Sequence, residues 1–272
     1  MNPYDSLDAR AIQQHLVELI GHQRADDFQV RIKAETVSTN DDALQLAAQG
    51  ASDGTAVFAE SQSAGRGRRG DAWVSPPCVN LLFSLLLRPA TPPGSWTRIP
   101  HLAGIAVCRA LESAFPSLPK PKLKWPNDIY VEDRKLAGIL VESRATRDQT
   151  PAAVLGVGLN VNLLPEQFPD DLRNIATTLR AHTGHFLDRN ALAAAILGDW
   201  AVLYPSELTT DFSVMREELR RRSWLMGRAI TVVSGNREIS GTAIDIGPEG
   251  ELIVETESGA RETILSADRV RW

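Results

Sequence analysis

Two short segments of this sequence concentrate groups that bind anions. Gly65-Arg66-Gly67-Arg68-Arg69-Gly70 sets three guanidinium groups among three glycines. Glycine lets backbone amides approach a small ligand closely, and guanidinium offers a permanently charged planar fork for carboxylate or phosphate. Lys124-Trp125-Pro126-Asn127-Asp128 packs an ammonium group, an indole, a turn-setting proline and two short polar side chains into five residues, and Lys135 follows seven residues later. Pro-Asn-Asp reads as a turn, which puts Lys124 at the end of a strand. A third segment, Gly156-Val157-Gly158-Leu159-Asn160, places glycines inside an apolar strand, a mark of close approach by a ligand or another backbone. Its Asn160 amide suits an adenine edge or a phosphate. Taken singly, each segment also has a plainer reading: a solvated basic loop, a surface turn, an asparagine closing a strand.

The first segment matches the spacing G-x-G-x-x-G, but a dinucleotide-binding turn must open a helix whose N-terminus receives the pyrophosphate. Here the chain runs into Asp71-Ala72-Trp73-Val74-Ser75-Pro76-Pro77, which starts no useful helix. The segment is read instead as a mobile loop that orders around an anion. His182-x-x-His185 lacks a carboxylate or cysteine at metal spacing and is read as surface loop. Arg220-Arg221-Arg222 is read as a solvated helix end favoured by the helix dipole. Cys78 and Cys108 are read as buried thiols, with no disulfide scaffold.

These groups need a frame. Residues 8–20 carry Ile12, Leu16, Leu19 and Ile20 at helical spacing and stop at Gly21. Val30, Ile32 and Ala34 alternate with charged residues, as in a half-buried strand. Ser38-Thr39-Asn40 precedes the next helix, with Thr39 and Asn40 as N-cap residues. Strands are predicted at 55–60 and at 80–88, the latter apolar enough to be buried on both faces. A helix follows at 99–115, then short strands at 122–125, 129–131 and 136–142, a longer one at 152–162, and helices near 174–182, 190–203 and 211–222. From Gly227 short alternating strands with turns about every 10–12 residues predict a small antiparallel barrel. The boundary is placed so that 1–224 form the main domain, with 1–27 as a helical N-terminal segment, and 225–272 the small one. This order of elements predicts an α+β fold.

The 272 residues are 43% hydrophobic and 23% charged, as expected of a globular chain with a sizeable core. Lys+Arg total 29 against 34 Asp+Glu, a net charge of -5, which argues against a coat for nucleic acid or an anionic membrane. Only five residues are lysine against 24 arginines. Two of those five, Lys124 and Lys135, flank one hairpin-like unit, as expected where a compact ammonium charge is wanted. No signal-peptide pattern opens the sequence, and its longest near-apolar run, 81–87, is too short to span a bilayer. A cytoplasmic protein is expected.

In this order and spacing, Ser38-Thr39-Asn40, Gln62 with 65–70 and Trp73, 124–128 with 135–140, and 156–160 resemble the biotin protein ligases. The likeness covers nearly the whole chain. It implies a class II aminoacyl-tRNA-synthetase-like mixed sheet followed by a small SH3-like β-barrel. It also implies an ATP-dependent biotin–[acetyl-CoA-carboxylase] ligase. In that reaction the biotin carboxylate attacks the α-phosphate of ATP, giving biotinyl-5′-adenylate and pyrophosphate. The ε-amino group of a carrier lysine then attacks the activated carbonyl and releases AMP. A carboxylate attacking a polyphosphate is opposed by like charge, so fixed cations and a metal ion are needed.

By this resemblance the catalytic set is Arg66, Lys124, Lys135 and Asp128. Arg66 and Arg68 close over the adenylate, and Lys124 contacts the reacting carboxyl–phosphate region. Lys135 and Asp128 lie near the phosphates, where they help activate the acceptor amine or bind Mg2+, with Asp128 as its ligand. Biotin is held by Ser38, Thr39, Asn40 and Gln62, by the loop residues Gly65, Arg66, Gly67 and Arg68, and by Lys124 and Gly138. ATP is held by Arg66, Arg68, Arg69, Trp73, Asn127, Lys135 and Asn160. Apolar walls for the biotin tail are expected around 136–141 and 154–159.

The partner implied is the biotin carboxyl carrier domain of acetyl-CoA carboxylase. No DNA or membrane partner is expected, and the chain is expected to be a monomer or a weak homodimer. Some family members carry a winged helix ahead of the ligase. Only 29 residues precede the first predicted strand here, too few for that motif, so the monofunctional type is expected. Two rival readings stay open. One is a lipoate– or octanoate–protein ligase, which shares the related fold and adenylate chemistry. The other is a non-catalytic, arginine-lined module for nucleotides or RNA, which leaves the lysine unit idle and sits badly with the net charge.

Overall fold

Asp8 starts the first helix, α1 (Ala9–Ile20), by accepting hydrogen bonds from the backbone N–H groups of Arg10 and Ala11, and Gly21 at φ 78° ends it. A short helix, α2 (His22–Ala25), follows. The computed structural model describes residues 6–145, 151–207 and 212–272.

The main body is a seven-stranded sheet made of β1 (Gln29–Lys33), β2 (Thr55–Ala59), β3 (Leu81–Leu87), β4 (Lys122–Lys124), β5 (Asp128–Val131), β6 (Arg134–Ala145) and β7 (Pro151–Leu159), in the order β1-β2-β3-β7-β6-β5-β4. β1 and β2 are parallel and every other pair is antiparallel. A parallel pair needs a crossover connection, and helix α3 (Thr39–Ala48) supplies it. Four further helices follow: α4 (Ile99–Ala114), α5 (Leu179–Thr183), α6 (Arg189–Glu207) and α7 (Ser213–Arg222).

Alternation along the strands gives the sheet two different faces. On one, Phe83, Leu85, Leu155 and Val157 pack with Ile12, Leu16, Leu102, Ile105 and Leu197 of α1, α4 and α6 in the main core. On the other, Leu86, Val57 and Val154 meet Ala43, Leu44 and Ala47 of α3. Ser84, buried in the middle of β3, belongs to the α3 side and hydrogen-bonds there.

A second, wholly antiparallel sheet follows: β8 (Ala229–Ser234), β9 (Arg237–Ile246), β10 (Leu252–Glu255), β11 (Arg261–Ile264) and β12 (Arg269–Arg271), ordered β11-β10-β9-β8-β12. Trp125 Nε1 donates to Gly250 O at 2.9 Å, Arg98 binds Glu249 at 2.8 Å and Arg220 binds Asp245 at 2.8 Å, tying this sheet to the main body. The α+β architecture expected from the order of elements is the one observed. Among the described residues no helix is long and apolar enough to cross a membrane.

Several local expectations change. The helix near 174–182 shrinks to Leu179–Thr183, because Ala176 forms a β-bridge with Lys135 and Thr178 caps the helix by accepting from Ala181 N–H. The helix predicted at 211–222 is Ser213–Arg222, residue 211 lying outside the described residues. Of its three terminal arginines Arg221 is exposed as expected, whereas Arg220 pairs with Asp245 and Arg222 turns inward. Arg222 binds both oxygens of Glu112 at 2.7 and 2.9 Å and also binds Glu218, which Arg109 reaches from α4. Cys108 is buried as expected, whereas Cys78, at φ 62°, is only partly buried.

Candidate active site

On the α3 side the sheet is stripped of side chains at neighbouring positions. Gly138 of β6 lies opposite Gly158 of β7, and two residues along β7 Gly156 lies opposite Ser84 of β3. The hollow opens into a cleft of about 250 Å³. Two of this chain's own side chains occupy the space the glycines leave. A Cβ at Gly156 would stand 2.2 Å from Asn40 Oδ1, and one at Gly158 would stand 2.5 Å from Trp73 Cε2. The close approach that the glycines announced is therefore made by the Asn40 amide and the Trp73 indole. The Trp73 indole N–H is buried and has no acceptor among the described residues.

One wall is polar. Ser38 is the residue before α3, but its side chain makes no capping bond; instead Gln62 Oε1 accepts from Thr39 N–H at 2.8 Å and from Thr39 Oγ1 at 3.1 Å. Ser84 Oγ lies 2.7 Å from Thr39 Oγ1 and donates to Asn40 Oδ1 at 2.6 Å. Asn40 Nδ2 in turn donates to Glu142 Oε2 at 2.6 Å. Ser38, Thr39, Asn40 and Ser84 are all buried, and the hydrogen bonds fix the rotamers of Thr39, Asn40 and Ser84. Sequence reasoning missed Ser84 and Glu142. The signal for Ser84 was present, since it is the one hydroxyl in Leu-Leu-Phe-Ser-Leu-Leu-Leu.

The glycine–arginine segment forms a narrow hairpin rather than a free loop. Trp73 N–H donates to Gly65 O at 2.9 Å and Gly67 N–H to Asp71 O at 2.7 Å. Arg66 grips Asp41 through two hydrogen bonds and lies 3.2 Å from Glu142. Its bonds to Asp41, with Glu142 adding, hold Arg66 protonated well beyond the ordinary guanidinium range. Arg69, in the left-handed region at φ 61°, pairs with Asp268, just ahead of β12. Arg68 lines the cleft and forms no ion pair with a described residue. Burial and the neighbouring Arg69 lower its proton affinity.

Opposite the hairpin, Lys124 and Asp128 pair in register across the Trp125-Pro126-Asn127 turn, whose Trp125–Pro126 bond is cis. Asn127 Nδ2 donates to Ile139 O at 2.6 Å, fixing the turn to β6. Lys135 Nζ sits 2.7 Å from Asp128 Oδ1 and faces the Trp73 ring at 5.4 Å. Burial lowers the Lys124 pKa to about 8, with Asp128 opposing and Lys135 reinforcing the shift. Among the described residues no three His, Cys, Asp or Glu side chains are grouped to hold a metal. Three aspartates, Asp71, Asp128 and Asp268, line the cleft, and two of them are engaged by cations, Asp128 by Lys135 and Asp268 by Arg69.

The cleft brings together Ser38, Thr39, Asn40, Gln62, Arg66, Gly67, Arg68, Arg69, Trp73, Lys124, Asn127, Asp128, Lys135 and Gly138. Two expected residues stand outside it. Gly65 is buried at the base of the hairpin, where a Cβ would lie 2.9 Å from both Gln62 Nε2 and Trp73 O. Asn160 is buried too, and its amide is committed to Thr177 O at 3.1 Å and to Asn80 at 3.4 Å. It joins the end of β7 to the segment before α5 instead of presenting an edge to a nucleotide.

Residues 33–160 match the Biotin/lipoate A/B protein ligase family, and residues 225–268 match the Biotin protein ligase C terminal domain. The chain is 35% identical over 231 residues to the bifunctional ligase/repressor BirA of Bacillus subtilis, covering 85% of this chain and 70% of that one. It is 34% identical over 278 residues to the biotin–[acetyl-CoA-carboxylase] ligase of Mycobacterium tuberculosis, covering 97% of this chain and 95% of that one. It is similar to the structure of the biotin protein ligase from Aquifex aeolicus in complex with biotin and ATP, with a TM-score of 0.78 and 28% identity over 89% of this chain and 98% of that one.

Proposed function

The chain belongs to the biotin protein ligases of the biotin/lipoate A/B protein ligase family, and from that premise we propose how its cleft performs the reaction. It is an ATP-dependent ligase that makes biotinyl-5′-AMP from biotin and ATP and transfers the biotin to a carrier lysine. The observation that carries this assignment is the meeting in one cleft of the Ser38–Asn40 helix start, the glycine–arginine hairpin and the Lys124–Asp128 turn over a glycine floor. Such a site combines a neutral polar wall with a cationic end, as a ligand with a ureido head and a carboxylate tail requires.

In this reading Ser38, Thr39, Asn40 and Gln62 meet the ureido ring, and the tail runs over the floor beside Trp73. Arg66 and Arg68 cover the reacting carboxylate and α-phosphate, while Lys124 offsets the charge that builds as they join. Arg69, Trp73 and Asn127 border the nucleotide side, and Lys135, held by Asp128, stands ready for the acceptor amine. Mg2+ brought with ATP would neutralise phosphate charge, with Asp128 as the protein carboxylate beside it. We assign 1–224 to biotin and ATP and 225–272 to a β unit beside the cleft. The acceptor is a biotin carboxyl carrier domain, that of acetyl-CoA carboxylase in our reading. We further propose a cytoplasmic monomer or weak homodimer; that it works without DNA is supported by the net charge of -5.

ATP–pyrophosphate exchange tests the assignment. Biotin should support exchange and lipoate should not. Exchange with lipoate or octanoate alone, or with no acid at all, would overturn it.

A further inference from the structure

Residues 267–270, the lead into β12 and its first two residues, line the cleft although β12 belongs to the second sheet. β12 is fixed there by pairing with β8 and by the Asp268–Arg69 ion pair. Just beyond β12, the Trp272 ring centre lies 3.9 Å from Lys124 Nζ. Tyr130 takes the ammonium from another side, its ring centre at 5.2 Å and its hydroxyl at 3.4 Å. Trp272 is itself braced edge-on by Trp224 at 5.0 Å and by Tyr130 at 6.3 Å, and Trp224 Nε1 donates to Glu132 O at 2.9 Å.

This housing differs from that of the other cleft lysine. Lys135 is ion-paired with Asp128, whereas Lys124 has no ion pair among the described residues. Ring faces attract and orient a cation without cancelling its charge, while a carboxylate would orient it and neutralise it together. An ammonium that must meet a developing negative charge is best held in the first way.

We propose that Trp272, with Tyr130, is a positioning residue of the adenylation step, holding the Lys124 ammonium over the cleft with its charge intact. The small β unit then contributes to the first half-reaction through a named side chain. The proposal rests on the biotin ligase assignment.

The test compares Trp272→Leu with Trp272→Phe in the full chain. Trp272 is 57% exposed, so neither change opens the core. Trp272→Leu should lower kcat for biotinyl-adenylate formation by roughly 5–30-fold while KM for biotin and ATP stays near wild type. Trp272→Phe, which keeps a ring face, should recover most of that rate. Amine acetylation read by mass spectrometry without substrates should label Lys124 faster in Trp272→Leu than in wild type, with the exposed Lys120 unchanged. Equal impairment of both variants, wild-type kcat in Trp272→Leu, or an unchanged Lys124 labelling rate would overturn the proposal. Inactivity of the wild type with biotin would instead overturn the assignment beneath it. The two failures are distinguishable because the labelling contrast needs no substrate.

Discussion

Asp41 holds Arg66 by both carboxylate oxygens, at 2.7 and 2.8 Å, so the glycine–arginine hairpin is fastened to the first turn of the helix that carries Thr39 and Asn40. Arg66 is 35% and Asp41 45% exposed, and ion pairs so open to solvent contribute about 0–1 kcal/mol. Asp41→Ala should therefore leave the melting temperature unchanged within error and raise KM for biotin by no more than about 5-fold. Arg66→Ala removes the charge itself and should cost about 2–4 kcal/mol of adenylation barrier. Pyrophosphate-exchange rates for the two variants separate the fastening from the chemistry. Similar losses in both would refute the distinction.

Lys124 should set an alkaline limit. With its pKa lowered to about 8, chiefly by burial, the ammonium is present below that pH and lost above it. Since the charged form is the one that opposes like-charge repulsion, kcat/KM for adenylation should fall as pH rises through about 8. Lys124→Arg, permanently charged, should abolish the fall even where its absolute rate is lower. A wild-type profile that stays flat to strongly alkaline pH would count against Lys124 as the source.

Gly156→Ala puts a methyl group where Asn40 Oδ1 now sits, 2.2 Å from the new Cβ. Asn40 cannot swing aside freely, because Ser84 and Glu142 both hold it. The substitution should cost about 1–3 kcal/mol of stability through overpacking. By titration calorimetry it should weaken biotin binding more than ATP binding. Gly158→Ala, which meets the Trp73 indole instead, should weaken both ligands, since Trp73 lies beside the biotin tail and borders the nucleotide side. Equal weakening of both ligands by Gly156→Ala would contradict the assignment of Asn40 to biotin.

Stability away from the cleft should depend on Glu218. Burial raises its proton affinity, but hydrogen bonds from Arg109 and Arg222 outweigh that and leave its pKa below the ordinary value. The linked stability is present above the unfolded-state pKa and fades as pH falls through the native one. Glu218→Ala, which leaves Arg109 and Arg222 without a shared partner, should cost about 3 kcal/mol in urea unfolding at neutral pH. The cost should shrink under acid, with the kinetics of adenylation unaltered at moderate temperature. A cost that is constant with pH would locate the effect in packing alone.

Helix and strand positions were legible in the sequence because their determinants are local. The 81–87 strand is buried at every position, as its apolar run implied, and the first helix ends at Gly21 as its spacing did. The ends of elements were less legible. Ala176 is drawn into a bridge with Lys135, a partner far along the chain, and this removes half of the helix expected near 174–182.

At the site, local sequence specifies which groups exist: three arginines among glycines, two lysines about one turn, a Ser-Thr-Asn helix start. Their chemistry and spacing are written in neighbouring residues. Which of them point at one another is set by the packing of distant elements. Strand register sets Ser84 opposite Gly156 and thereby brings Asn40 to Glu142. The same packing withdraws Asn160 to Thr177 and delivers Trp272 from the second sheet to Lys124. Partner choice of this kind depends on long-range register and on which charges burial leaves to be satisfied, and neither is encoded within any short segment of the chain.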